Sequence, residues 1–217
     1  KNVNNDIKSL FAAETGNISL HYSPQEAFVL LNFPVLAVVY AFDTRFPLQD
    51  GSYRATTWSS ISPLAFTHTV NDKMYIGVKD GIGEYKTYTD NTASYQLSYF
   101  SHPLSFGNTS NLKFLKKINL TTFDGAESTV VLNWAYDYSG AYKKQAYTLP
   151  QSNVGQYNIS EFNTTAEYSS SISLINRQKI NASGQGTVVA IGAETTIDGK
   201  PIAIQEINIQ ALMGRIV

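Results

Sequence analysis

The chain has few residues that could act as a catalytic base, a nucleophile or a metal ligand, because it contains three histidines and no cysteine. His21, His68 and His102 fall on separate predicted strands, without the spacing that metal ligands show in known motifs. No HExxH, GxSxG or Ser/His/Asp arrangement accompanies them. We therefore predict no catalytic, metal or cofactor-binding residue, and we interpret each histidine as a surface or hydrogen-bonded structural residue.

Carboxylates are the other group that could do chemistry, because a glycosidase uses two of them roughly 5–9.5 Å apart. The candidates are Asp43, Asp50, Asp72, Asp80, Glu84, Asp90, Asp124 and Glu127. Most lie in or beside predicted turns, where Asp is favoured because it hydrogen-bonds its own backbone. The turn interpretation is the stronger one, and we predict that the chain is not an enzyme.

Two glycine pairs, Gly81-Ile82-Gly83 and Gly184-Gln185-Gly186, have the spacing of a phosphate-binding loop. Neither continues into GxGxxG or GK[ST], and neither opens a predicted helix whose N-terminus could receive a phosphate. We interpret both pairs as turn or bulge glycines.

Aromatic residues are concentrated in one stretch of the first half, and they could stack on sugar rings. The cluster comprises Tyr75, Tyr85, Tyr88, Tyr95, Tyr99 and Phe100. Cross-strand packing is the favoured interpretation, because sheets commonly pair aromatic side chains. Burial of Tyr85, Tyr88 and Tyr95 separates the two interpretations, since buried rings would exclude sugar binding.

Composition excludes several classes of function. The chain has 217 residues, 43% of them hydrophobic and 15% charged, with a net charge of −1. This composition can form a buried core, and it has no basic surplus for nucleic acid or anionic membranes. The basic pairs Lys116-Lys117 and Lys143-Lys144 are interpreted as solvated or edge-protecting residues. No apolar run approaches the roughly 18 residues of a membrane helix.

The elements that position these residues are strands, so we predict an all-β fold. Aromatic and β-branched residues fill the segments between turn signals, and the only helical pattern is Asp6–Glu14. In residues 1–102 the strands form two sets of four, Ile18–Ser59 and Leu64–Ser101, each about as long as a propeller blade. Two blades cannot close a propeller, so we predict a partial β-propeller that upstream sequence completes.

Residues 103–217 are predicted to form an antiparallel β-sandwich-like domain, which begins where Pro103 interrupts pairing. Val130, Leu132 and Trp134 alternate along one strand and are expected to be buried. The last strand requires a β-bulge near Gln205-Glu206 to place its isoleucines on one face. Other strands are predicted at Leu112–Leu120, Ala141–Leu149, Gln156–Asn163, Ala166–Asn176, Gly186–Thr196 and Pro201–Leu212.

The order of several strings resembles one protein family. "SPQEAFVLLNFP", "AFDTRFPLQDGSYRATTW" and "YIGVKDGIGEYKTYTDN" precede "YQLSYFSHPLSFGNTSNLKFLKKI", and "LNWAYDYSGAY" and the closing "GQGTVVAIGAETTIDGKPIAIQEINIQALMGR" follow. The chain from about Ser19 onward resembles the C-terminal part of tail nozzle proteins (tail tubular protein B) of short-tailed bacteriophages, especially the marine and cyanophage type. The most recognisable pieces are Asp43–Tyr53, Phe106–Lys117 and Gly184–Arg215, and none is an active-site motif.

The resemblance implies a structural protein of the virion. Nozzle subunits form a six-fold ring below the tail adaptor protein, extend the channel through which viral DNA is ejected, and dock tail fibres. It further implies that the chain is a fragment of a longer protein, that viral DNA passes through the channel without sequence-specific binding, and that the protein has no membrane partner. The alternative is a carbohydrate-binding or carbohydrate-degrading tail module that acts on host surface glycans.

Overall fold

The computed structural model describes residues 3–49, 51–59, 61–125, 127–150 and 175–216. Within these ranges the chain has one helix and fifteen strands, so the predicted all-β fold is confirmed. Every strand pairing is antiparallel, and no sheet closes on itself. The chain divides into two compact units, Lys1–Thr92 and Ala93–Val217. No helix in the described part of the chain is long and apolar enough to cross a membrane.

The first unit contains one helix and two consecutive meanders. Its elements are α1 (Val3–Ala13), β1 (Ser19–Ser23), β2 (Phe28–Phe33), β3 (Val38–Asp43), β4 (Arg54–Trp58), β5 (Ala65–His68), β6 (Met74–Val78) and β7 (Gly81–Glu84). Strands β1 to β4 form one sheet in chain order, and β5 to β7 form the next. The helical pattern at Asp6–Glu14 corresponds to α1, which begins and ends earlier, at Val3 and Ala13. Phe11 of this helix packs edge-on against Phe33, with the ring centroids 5.3 Å apart.

Four-residue turns fix the register of the first meander. Pro24 and Pro34 open the turns after β1 and β2, and proline is favoured there because its φ suits the second position of a type I turn. Each turn ends on an alanine with positive φ, Ala27 at 52° and Ala37 at 53°. The turns therefore repeat one geometry in successive hairpins.

The two meanders of the first unit share a small core. Its fully or nearly buried residues are Leu30, Val39, Ala41, Met74 and Ile76. Partly buried Phe28, Trp58, Ile61 and Phe66 pack against them. Because β2 and β3 supply one side and β6 supplies the other, the sheets pack face to face, as neighbouring propeller blades do.

The second meander differs from the predicted set of four strands. It has three strands, because the expected fourth strand, β8 (Tyr95–Phe100), belongs to the second unit. There β8 pairs antiparallel with the strand Val189–Ile197, from Tyr95↔Ile197 to Phe100↔Gly192. The two units therefore divide after Thr92, ten residues before the predicted boundary at 102/103. The predicted boundary is wrong because Pro103 follows β8, a strand of the second unit.

The second unit contains two antiparallel sheets. Its strands after β8 are β9 (Asn111–Asp124), β10 (Thr129–Tyr136), β11 (Lys143–Thr148), β12 (Ile175–Asn181), β13 (Gln185–Gly186), β14 (Val189–Ile197) and β15 (Ile202–Ile216). One sheet has the order β11-β10-β14-β8. In the other, β9 pairs with β12, β13 and β15.

One core joins the inner faces of these two sheets, which makes the unit a sandwich. It includes Leu115, Ile118, Leu120, Val130, Leu132, Trp134, Leu149, Ile180, Ala182, Val189, Ile191 and Ala193. The predicted burial of Val130, Leu132 and Trp134 is confirmed, with 0%, 0% and 4% of each residue exposed.

Strand β15 contains the predicted bulge. Its pairing with β9 shifts between Ile204 and Glu206, so Gln205 is the extra residue. The shift places Ile207 and Ile209 on the core side together with Ile204. The predicted strand Gln156–Asn163 lies outside the described residues. The same holds for the predicted strand Ala166–Asn176 as far as residue 174.

Candidate functional site

Two histidines that are far apart in sequence meet in the first unit. His21 on β1 and His68 on β5 lie with Nε2 and Nδ1 2.9 Å apart, within hydrogen-bonding distance. Their rings stack at 4.7 Å, and the other ring nitrogen of His68 lies 3.3 Å from Ser23 Oγ. This Ser–His–His chain resembles a nucleophile relay, but Ser23 is fully buried, so its hydroxyl is closed to a substrate.

The histidine pair is therefore a polar contact between two sheets. Sequence analysis correctly predicted hydrogen-bonded structural residues but did not predict that His21 and His68 meet. One signal was available, because each lies on the first strand of its meander and consecutive blades pack equivalent strands side by side. His102 is exposed after β8.

The pair should make stability depend on pH. Burial and the charge of His68 lower the pKa of His21 below 6.5, so the unfolded chain binds a proton there more readily than the folded chain. Its contribution is complete above about pH 6.5 and declines as the pH falls towards the folded pKa. We expect the urea midpoint of unfolding to decrease as the pH is lowered from 7.5 to 5.5. His21→Gln should make this dependence of the midpoint on pH less steep.

His102→Gln is the matched control, because His102 is exposed and should leave the slope unchanged. The carboxylates with shifted pKa values, Asp43 and Asp137, do not interfere, because both are shifted downward, away from this window. An unchanged slope in His21→Gln would contradict the role given to the pair.

Most of the predicted carboxylates that the structure describes lie in turns or in ion pairs. The ion pairs are Asp43 with Arg45 at 3.0 Å, Glu84 with Lys73 at 3.3 Å and Glu127 with Lys200 at 2.7 Å. Hydrogen bonds from Arg45 lower the pKa of Asp43, whereas a glycosidase acid needs a raised one. Asp72 and Asp124 have positive φ, at 57° and 54°, typical of turn residues. Asp50 lies outside the described residues.

The aromatic cluster is divided between the two units. Tyr85 stacks on Trp58 at 5.7 Å with the planes 8° apart, and Phe28 meets both rings edge-on. Tyr85 is 42% exposed and Tyr88 48% exposed, while Tyr95 is half-buried. Burial therefore does not exclude sugar binding, and the packing interpretation applies most clearly to the Phe28–Trp58–Tyr85 group.

Of the two glycine pairs, Gly184 and Gly186 have conformational and packing roles. Gly184 has a φ of 117°, and a Cβ there would lie 2.5 Å from the ring of Tyr136. A Cβ at Gly186 would lie 2.7 Å from Tyr136 Cβ, so both glycines permit close approach of that ring. Burial raises the pKa of Tyr136 to about 12, and its hydroxyl donates to Ser183 O. Gly81 and Gly83 lie in β7, which pairs with β6 without a register shift, so the bulge interpretation is wrong for this pair, although Gly81 directly follows a turn.

A polar groove crosses the outer face of the sheet formed by β12, β9 and β15. Its volume is about 430 Å³. It is lined by Asn119 and Thr121 from β9, by Arg177, Gln178 and Lys179 from β12, and by Glu206 and Asn208 from β15. Sequence analysis did not predict this groove, because its residues come from three strands that are distant in sequence.

Cations dominate the β12 side of the groove. Lys179 and Lys117 lie close together, and a hydrogen bond and charge repulsion from Lys179 lower the pKa of Lys117. In the part of the chain that the structure describes, no carboxylate lies within 4 Å of the charged groups of Lys117, Arg177 or Lys179. Among the described residues the cations of β12 therefore have no ion-pair partner within 4 Å, and Glu206 is the carboxylate on the β15 side of the groove.

No group of three or more His, Asp or Glu side chains among the described residues is placed to hold a metal ion. No protein-family model matches the chain. A search of curated proteins likewise finds no match. The functional interpretation therefore depends on the sequence resemblance and on the geometry described above.

Proposed function

We propose that the chain is a structural subunit of a bacteriophage tail, part of a nozzle protein whose copies form a ring around the DNA-ejection channel. Two features support this proposal. The sequence strings of Asp43–Tyr53, Phe106–Lys117 and Gly184–Arg215 resemble the nozzle family. The meanders of the first unit stack like adjacent blades in a set that is not closed.

The single observation that carries the proposal is the exposed apolar surface of the first unit. Thirteen of the 21 large apolar residues that are exposed among the described residues lie before Thr92, although this is the smaller unit. Val70 is 102% exposed, Ile82 79%, Leu20 72% and Phe46 70%. A contiguous apolar surface typically marks a protein–protein interface, and in this proposal these residues contribute to one.

In this proposal the first unit contacts upstream blades or neighbouring subunits of a six-fold ring. The ring docks the tail adaptor protein and the tail fibres, and it lies in the virion. Viral DNA passes through it without sequence-specific contacts, which is compatible with a net charge of −1. The proposed role requires no cofactor and no catalytic residue.

The double variant Val70→Ser/Ile82→Ser tests the interface. Both side chains are exposed, so we expect the free energy of unfolding to change by no more than about 0.5 kcal/mol. The assembled fraction should fall several-fold. The assembled fraction is measured by analytical ultracentrifugation. Leu212→Ser is the control, because Leu212 is an exposed apolar residue, at 58%, on the second unit. Assembly equal to that of the parent in the double variant would contradict the placement of the interface.

A glycan-binding tail module is the second candidate, supported by the exposure of Tyr85 and Tyr88. Exposed aromatic rings can stack on the apolar faces of sugars. Tyr88→Ala should then weaken binding of host surface polysaccharide without changing assembly. Equal binding by the variant would exclude this use of the ring.

A further inference from the structure

We propose that the groove on the outer face of β12, β9 and β15 binds an acidic sugar, such as a hexuronic acid residue of a polysaccharide. This site is separate from the assembly surface proposed for the first unit. The proposal rests on the charges of the groove, the hydrogen-bonding groups between them and an apolar pair in the neighbouring row of the same face.

The charge arrangement favours a ligand that carries a carboxylate. Arg177 and Lys179 lie two residues apart on β12, so both side chains are on the same face of the strand. Lys117 on β9 adds a third cation beside Lys179. Three cations without a described carboxylate partner favour an anionic ligand, because its charge would offset their mutual repulsion.

The opposite wall of the groove favours a sugar over a simple anion. Glu206 on β15 pairs in register with Thr121, which in turn pairs with Arg177, so the acid and the cation face each other across β9. A carboxylate here repels sulfate or phosphate but accepts hydrogen bonds from hydroxyl groups. An acidic sugar fits both sides of the groove, because its carboxylate can contact the cations and its hydroxyl groups can donate hydrogen bonds to Glu206.

Neutral groups between the walls match sugar hydroxyls. Asn119 and Thr121 form the floor, and Asn208 lies beside Glu206, with its amide nitrogen 3.5 Å from the Glu206 carboxylate. Phe123 and Ile175 pair in the next row on the same face, where apolar side chains can contact the carbon face of a ring.

Nucleic acid fits the groove less well. DNA binding generally needs a broad basic surface that neutralises several phosphates, and the whole chain has a net charge of −1. Glu206 would also repel a phosphate backbone. DNA is therefore an outcome that the experiment must exclude.

The experiment measures binding of hexagalacturonate to the full chain by calorimetry and by amide chemical shifts of β9, β12 and β15. Methyl-esterified hexagalacturonate, sodium sulfate and a short DNA duplex are the comparison ligands. We expect the acid to bind and its ester to bind at least tenfold more weakly. No binding of the acid, equal binding of the ester, or tighter binding of sulfate or DNA would overturn the proposal.

Three variants identify the contacts. Arg177→Gln/Lys179→Gln should weaken binding of the acid about tenfold or more, which corresponds to about 1.4 kcal/mol. Lys86→Gln, an exposed lysine of the first unit, is the control for charge and should bind like the parent. Glu206→Ala should weaken binding of the sugar and strengthen binding of sulfate. If Glu206→Ala strengthens binding of both the sugar and sulfate, the groove selects ligands by negative charge alone and the assignment of a sugar ligand is wrong.

Discussion

Trp134→Ala is expected to reduce the free energy of unfolding of the second unit by about 3–5 kcal/mol. Trp134 is 4% exposed and lies in the sandwich core between Lys143 of β11 and Ile191 of β14 in register. Its Nε1 also donates to Ser183 O at 3.0 Å, so the truncation removes both packing and a hydrogen bond. Urea unfolding followed by far-UV circular dichroism measures the change.

Two further variants separate these contributions. Trp134→Phe keeps much of the ring volume but loses the donor, and it should cost less than Trp134→Ala by at least about 1 kcal/mol. Tyr138→Ala removes an aromatic ring that is 78% exposed and should change the midpoint little. If Trp134→Ala unfolds at the same midpoint as the parent, the assignment of this strand to the core is wrong.

The two units should behave differently when they are expressed separately. Residues 93–217 contain the complete sandwich and its large core, so we expect a folded, exchange-protected domain. Among the described residues, the core shared by the sheets of 1–92 has five buried apolar residues against twelve in the sandwich core, so we expect residues 1–92 to aggregate or stay partly disordered. Size-exclusion chromatography and amide exchange measure the outcome for each fragment.

Strand β8 provides the sharper comparison. A fragment 103–217 lacks β8 and leaves the β14 edge, including Ala193 and Ile197, without its neighbour. We expect it to be less stable than 93–217 by roughly 2–4 kcal/mol, the effect of exposing one or two apolar side chains. Equal stability of the two fragments would contradict the placement of β8. A monodisperse, well-protected monomer of residues 1–92 would contradict the partial-propeller interpretation.

Much of this fold could be predicted from the sequence, because local signals and periodicity determine strands. The alternation of Val130, Leu132 and Trp134 predicted their shared face, and the phase change along Ile202–Ile216 predicted the bulge at Gln205. These predictions depend only on the two-residue period of a strand and on which side is apolar.

Pairing between distant strands could not be predicted in the same way. Strand β8 follows the meanders closely and has a similar aromatic composition, yet it pairs with β14 about 95 residues later. The contact of His21 with His68, and the placement of Arg177 and Glu206 on opposite sides of β9, likewise depend on which strands become neighbours. Local composition contains no direct signal for such contacts, so the sequence predicted the elements better than it predicted the groove.

The mass and symmetry of the assembled species test the central proposal most directly. The full chain, purified and measured by light scattering and negative-stain electron microscopy over a range of concentrations, should form a ring of six copies. The Val70→Ser/Ile82→Ser variant should shift this population towards single chains. A monomer at all concentrations, or a stable assembly without six-fold symmetry, would contradict the proposal that this chain forms a nozzle ring.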